Sequence, residues 1–228
     1  MAEIGLFETI HSARALRRFR PDPIPDEIIT KVLDAAIRAP SAGDSQHWSF
    51  IVVRDPEQRR KIGAIYSKAS KVIGWFYTGS ERPAHMDEVQ FRRFINSGTY
   101  LWEHMHEAPI LLVACLRPRA RSADGMPPEL LTQYRKAIPD LARMDGASIY
   151  PAVQNIILAC RALGLGTVLT TNHVVYEDEL KALLGIPAEV HTYALMPIGY
   201  PRGKFGPVKR RPVNEVAHLD RWSNYWPG

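Results

Sequence analysis

Residues 148–171 read SIYPAVQNIILACRALGLGTVLTT. Ile149, Val153, Ile156, Ile157 and Cys160 recur at helical spacing, and Arg161 and Gly164 close the pattern as basic last turns and glycine caps close helices. GTVLTT, residues 166–171, is short and β-branched, which predicts a strand. Gly164 and Gly166 make a GxG pair, but Leu169 stands where a dinucleotide-binding fingerprint needs its third glycine. The order is reversed as well, since that fingerprint follows a strand and opens a helix. The stretch therefore excludes a Rossmann unit and predicts a helix feeding a strand.

The same reasoning extends to both sides. PDEIITKVLDAAIRA, residues 25–39, places Ile28, Ile29, Val32, Leu33, Ala36 and Ile37 at helical spacing, started by Pro25-Asp26 and stopped by Pro40. SFIVVRD from Ser49 predicts a strand that ends at Asp55-Pro56, and residues 56–70 predict a second helix. PILLVACL from Pro109 is continuously apolar and short, which predicts a buried strand. YEDELKALLG reads as a short helix closed by Gly185, and VHTYALMPIGYP as a last strand. Helices and strands alternate without repeats or low-complexity linkers, so residues 1–228 read as one layered domain. Two stretches break the pattern: aromatic-rich 74–107 and Pro-rich 117–147. They read as variable insertions, either lids and binding loops or, for the bland alternative, a packed helical hairpin.

Composition narrows the functions. The 228 residues are 46% hydrophobic and 23% charged, the balance of a globular domain with a real core. The longest apolar run, ILLVACL, is too short to span a bilayer, and the first residues lack the apolar core of a signal peptide. Cys115 and Cys160 lie in apolar runs and read as reduced core residues. A cytoplasmic protein is expected, with no membrane partner. The net charge of +5 is spread over four clusters rather than interleaved with aromatics, and no nucleic-acid signature appears, so no nucleic-acid partner is expected. GKFGPVK lacks P-loop spacing, there is no GxSxG elbow, and His104 and His106 face different sides of a helix, so no metal is expected. No acid–base dyad stands out.

What remains is a set of four short motifs. Arg14-Ala15-Leu16-Arg17-Arg18-Phe19 is similar to R-S-x-R-x-F, Pro40-Ser41-Ala42-Gly43-Asp44-Ser45-Gln46-His47-Trp48 to P-S-x-x-N-x-Q-P-W, and Gly164-Leu165-Gly166-Thr167 to G-L-G-T. Gly199-Tyr200-Pro201 with Lys209-Arg210-Arg211-Pro212 is similar to a closing G-Y-P and K-x-R-P. In this order the four resemble the FMN-dependent nitroreductase family over nearly the whole chain. The resemblance implies an α+β fold: a mixed, mainly antiparallel sheet flanked by helices, in an interlocked homodimer with each flavin at the interface. The aromatic C-terminal extension 204–228 then has a partner surface to cover.

The resemblance also implies the site. Arg14, Ala15, Arg17, Lys209 and Arg211 would hold the phosphate and pyrimidine edge of FMN. Pro40, Ser41, Ala42, Asp44 and Gln46 form the loop beside it, and Gly164, Leu165, Gly166 and Thr167 line the dimethylbenzene side. Guanidinium forks suit a phosphate dianion because they bind bidentately and stay charged. Arg18 and Arg20 read as solvated charge, and Trp48 as an aromatic core plug. Asp44 departs from the family asparagine and sets a carboxylate near an electron-rich ring, unless it points away. The implied activity is oxidoreduction: hydride from NAD(P)H to a flat, electron-poor aromatic acceptor such as a nitroaromatic or quinone. The cofactor carries the chemistry, so no catalytic side chain is expected. The alternatives are a reduced-flavin fragmenting enzyme of the 5,6-dimethylbenzimidazole synthase type, a deiodinase-like dehalogenase and a non-catalytic flavin-binding sensor.

Overall fold

The apolar run at 110–116 becomes the centre of the molecule. In the computed structural model, which describes residues 4–79, 81–119 and 121–227, strand β2 (Ile110–Leu116) is buried along its whole length. It pairs antiparallel with β1 (Trp48–Val53) on one side and β4 (His191–Gly199) on the other. A two-residue β3 (Gly166–Thr167) pairs with the far edge of β4, so the order is β1-β2-β4-β3, antiparallel throughout. Alternation along β2 feeds two cores. Ile110, Leu112, Ala114 and Leu116 pack with α2 (Asp26–Ala36) and α6 (Leu141–Ala162), where Val32, Ile149, Val153 and Ile156 are fully buried. Leu111, Val113 and Cys115 face the other way, onto Ile62 of α3 (Pro56–Thr78), Leu101 of α4 (Glu88–His104) and Leu180 of α7 (Glu177–Leu184). A strand covered on both faces needs no polar residue, which is why its sequence shows none. Both cysteines lie in these cores, and burial pushes each thiol up to about 12.

Most expected elements are present, with informative differences. The strand expected over 166–171 pairs only at Gly166–Thr167, with a lone bridge from Thr170 to Leu195. The helix expected from Ser148 starts at Leu141 and carries Pro151 inside it. Residues 141–147 fall in the stretch that reads as an insertion, whereas Pro151 costs the helix a backbone hydrogen bond without ending it. Burial of Ile149, Ala152 and Val153 around it offsets the lost hydrogen bond. Residues 74–107 hold the last turn of α3 and then α4, which pack as a helical hairpin. Asp87 and Gln90 close α4's start with a reciprocal capping box. The 117–147 stretch contains α5 (Pro128–Ala137), and α1 (Leu6–Ser12) was not evident from the sequence. Among the described residues no helix is long and apolar enough to cross a membrane.

One close approach ties the N-terminal segment to the sheet. A Cβ on Gly199 would lie 2.8 Å from both Phe19 Cβ and Pro109 Cδ, neither of which can swing away freely. Gly199→Ala is expected to cost about 1–3 kcal/mol by overpacking and to show as a lower urea midpoint. An unchanged midpoint would mean that this junction yields.

Candidate functional site

Beyond α1 the chain runs extended along the β3–β4 edge. The Leu16 N–H donates to the Thr167 carbonyl (3.1 Å), Arg20 N–H to Tyr200 (2.8 Å), and Arg202 N–H back to Arg18 (2.9 Å), while Phe19 bridges to Pro201. Gly166 lets Leu16 and Pro201 close in: both their Cβ atoms lie 3.1 Å from where its own Cβ would be. Residues 14–19, 164–167 and 199–201 thus meet in one corner. Leu16 and Phe19 are buried there, Arg17 is half-buried, and Arg14, Ala15, Arg18 and Arg20 are exposed. Arg18 lies over the Tyr100 ring at 3.8 Å and Arg20 pairs with Asp22 at 3.4 Å, so both are occupied. The buried Thr167 hydroxyl has no hydrogen-bond partner among the described residues.

Arg17 is the distinctive cation. Its Nη1 donates to Ser97 Oγ on α4 at 3.3 Å, and among the described residues no carboxylate pairs with it. Burial pulls its pKa below the ordinary 12.5, partly countered by Tyr66. Arg17 forms part of the wall of a cavity of about 180 Å³. Tyr66 and Tyr77 of α3, Phe94, Gly98 and Trp102 of α4, and residues 168–172 just beyond Gly164–Thr167 line the rest. The lining carries no carboxylate and no lysine. Burial lifts the Tyr66 phenol above its ordinary 10.0, against the opposing pull of hydrogen bonds to Ser70 and Thr170 and the charge of Arg17. The Thr170 hydroxyl donates to the Leu195 carbonyl (2.7 Å) and Asn172 Nδ2 to Ser70 Oγ (3.1 Å). An aromatic wall thus faces a hydrogen-bonded polar floor with one guanidinium.

The 40–46 loop lies apart. Gly43, Asp44 and Gln46 all adopt left-handed backbone, at φ 60°, 49° and 51°, and each non-glycine there costs roughly 1–2 kcal/mol unless the surroundings enforce it. Enforcement is visible. Gln46 N–H donates to Ser41 Oγ (3.0 Å), Gln46 Nε2 to Asp44 Oδ1 (2.9 Å), and Ala42 N–H to Ser148 Oγ (3.1 Å). The Asp44 carboxylate is therefore engaged by its own loop. Arg119 Nη1 lies 3.1 Å from where a Gly43 Cβ would sit, while Pro40 is exposed at the loop's start. Among the described residues no hydrogen bond or ion pair joins this loop to Arg14 or Arg17. Lys209 and Arg211 are exposed on a segment that returns to α1, where Val208 N–H donates to the His11 carbonyl at 3.0 Å. Within one chain the expected site residues form a corner and a separate loop. Sequence reasoning missed Tyr66, Ser97, Gly98 and Asn172; the aromatic density of 74–107 was the available signal.

Comparisons with known proteins agree on one family. The model described as nitroreductase family matches residues 10–200. A protein called NADH dehydrogenase from Thermus thermophilus is 30% identical over 210 residues, covering 90% of this chain and 90% of its own. Human iodotyrosine deiodinase 1 is 26% identical over 212 residues, covering 92% of this chain and 66% of its own. Among solved structures, a BluB-like flavoprotein from Clostridium difficile superposes with a TM-score of 0.72 at 25% identity, over 96% of this chain and 100% of its own.

Next to the cavity's polar floor lies His173, fully buried, with neither ring nitrogen hydrogen-bonded among the described residues. Burial, opposed by Glu177, pushes its pKa down to about 4 from 6.5. The folded protein keeps this ring neutral where the unfolded chain protonates it, so unfolding takes up a proton between pH 6.5 and 4. Stability is untouched by His173 above that window and falls as the pH drops through it, on the order of 3 kcal/mol. In chemical denaturation across this range, His173→Leu is expected to flatten the profile; an equally steep profile in the variant would assign the acid sensitivity elsewhere.

Proposed function

The chain belongs to the nitroreductase family, and on that premise we propose that it is an FMN-dependent oxidoreductase, taking hydride from NAD(P)H and passing electrons to a flat, electron-poor acceptor such as a nitroaromatic or quinone. The observation that carries this reading is Arg17: a half-buried guanidinium with no counter-charge among the described residues, on a cavity bounded by the segment that follows Gly164–Thr167. Such a cation is costly without an anionic or electron-rich partner. The unpartnered Thr167 hydroxyl in the same corner is a second vacancy that a polar ligand edge would fill. The residues present fit a flavin.

FMN, when bound, supplies the two-electron chemistry, which is why the site needs no nucleophile or acid–base dyad. The protein's own work is binding and polarity. Arg17 would offer a fixed positive charge to the flavin's pyrimidine edge, a position from which a guanidinium favours negative charge. Arg14, Lys209 and Arg211, exposed and without carboxylate partners among the described residues, suit a phosphate. Gly164, Leu165, Gly166 and Thr167 shape the opposite edge beside Ala15. Pro40, Ser41, Ala42, Asp44 and Gln46 would reach the ligand from a second chain, which is how an interlocked homodimer completes a site left in two parts. Exposed Phe7 (73%) on α1 and Trp222 (84%) near the C-terminus give such a dimer apolar surface to bury.

The cavity lining also weighs against a deiodinase-like action. An amino acid brings an ammonium group, and among the described residues the part of the lining that one chain supplies holds no carboxylate to receive it.

Titrating FMN into flavin-stripped protein and following the quenching of its fluorescence tests the reading. Arg17→Ala and Arg211→Ala are each expected to weaken binding by about 1.5–3 kcal/mol, the range for a hydrogen bond to a charged group. Saturating FMN is expected to restore NAD(P)H oxidation in the Arg211 variant more fully than in the Arg17 variant. Wild-type FMN affinity in the Arg17 variant, or slow nicotinamide oxidation with steady loss of intact flavin, would contradict the proposal.

A further inference from the structure

Glycine is the least favourable residue other than proline in a helix interior, so each one there calls for a local reason. Three of the four interior helical glycines have one inside the chain. A Cβ on Gly63 would meet His106 Cβ at 3.1 Å, on Gly74 the Trp102 ring at less than 3 Å, and on Gly146 the Tyr150 ring at 3.1 Å. Gly98, in the middle of α4, meets nothing within 4 Å among the described residues, and its φ is not left-handed. Nothing in the chain's own packing or backbone asks for a glycine there. Gly98 lines the cavity, between Phe94 four residues before it and Trp102 four residues after it. The stripe is bare backbone framed by two aromatic rings. Trp102 is seated against Gly74, and Phe94 is set by an edge-on contact with Tyr77 at 6.2 Å. The neighbouring Ser97 receives Arg17, so the bare stripe lies beside the cavity's only cation and carries no charge of its own.

We propose that Gly98 is a specificity-determining residue: the acceptor lies flat against the α4 backbone at this position, held between Phe94 and Trp102. The ligand class that fits is a planar, uncharged aromatic of about two fused rings. A side chain here would occupy the space of the ring, and with Arg17 given to the flavin a charged substituent would meet apolar walls without a partner. This inference rests on the flavin reading for the identity of the ligand as an electron acceptor, but the contact itself does not depend on it.

The test is calorimetric titration of 1,4-naphthoquinone into the oxidised, FMN-loaded protein without any reductant, for wild type, Gly98→Ala and Gly98→Leu, repeated on flavin-free protein. Gly98→Ala serves as the folding control, since alanine improves the helix and meets no neighbour; its Tm is expected to equal or exceed that of wild type. Gly98→Leu is expected to weaken naphthoquinone binding at least tenfold, with Gly98→Ala intermediate and FMN affinity within twofold of wild type. Unchanged naphthoquinone binding in the leucine variant overturns the proposal. So does a parallel loss of FMN affinity, which would give the bare stripe to the cofactor, or loss only alongside dimer dissociation in light scattering, which would give it to the partner subunit. Failure of the flavin reading shows separately, as wild-type protein that takes up no FMN, and the flavin-free titration then still decides the Gly98 contact.

Discussion

A strand buried on both faces dictates the architecture. β2 has no solvent side, so helices must cover it twice. α2 and α6 meet one set of its alternating residues, and α3, α4 and α7 the other. The core formed by α3 and α4 does not fill completely. The cavity lies where residues of α3, α4 and the segment after the short β3 meet. The same layering brings in the N-terminal arm. With β3 only two residues long, the β4 edge is left for Phe19 and Arg20 to dock on, and Gly166 and Gly199 remove the side chains that would keep them off. Arg17 is carried into the cavity wall between buried Leu16 and Phe19.

Charge then decides what the cavity is for. Arg18 stacks on Tyr100, Arg20 pairs with Asp22, Arg161 bonds Ser12 and lies over Phe205, and Arg121 pairs with Asp145. These neighbours show that the chain provides partners for its arginines where it needs only structure. Among the described residues Arg17 has a hydroxyl and no anion. An uncompensated, half-desolvated guanidinium beside an aromatic wall is the feature on which the flavin proposal rests, and that proposal calls for no catalytic side chain.

Much of this was legible in the sequence. Periodicity and capping residues located α2 and α7, β-branched runs located β1 and β4, and the four motifs identified the family. The first two turns of α6 were absorbed into the 117–147 insertion, and Pro151 inside the helix is accommodated by burial that only tertiary structure reveals. α4 lacked a strong apolar period, although its Asp87–Gln90 capping box was in plain view. The strand at 166–171 was overextended because Val168, Thr170 and Thr171 are β-branched yet line the cavity. The cavity itself was not legible, since Tyr66, Ser97 and Asn172 come together only across α3, α4 and the segment after β3. Nor was the turning of Asp44 toward Gln46, which depends on three left-handed residues in one short loop.

The central claim is that this architecture holds a flavin which a nicotinamide can reduce. An absorption spectrum of the purified protein, taken without air before and after adding NADH or NADPH, tests it most directly. The account predicts a flavin spectrum at the outset, bleached by one of the two nicotinamides and restored by a quinone, with FMN as the pigment released on denaturation. A colourless protein that FMN cannot reconstitute, or a bound flavin that neither nicotinamide bleaches, would contradict it.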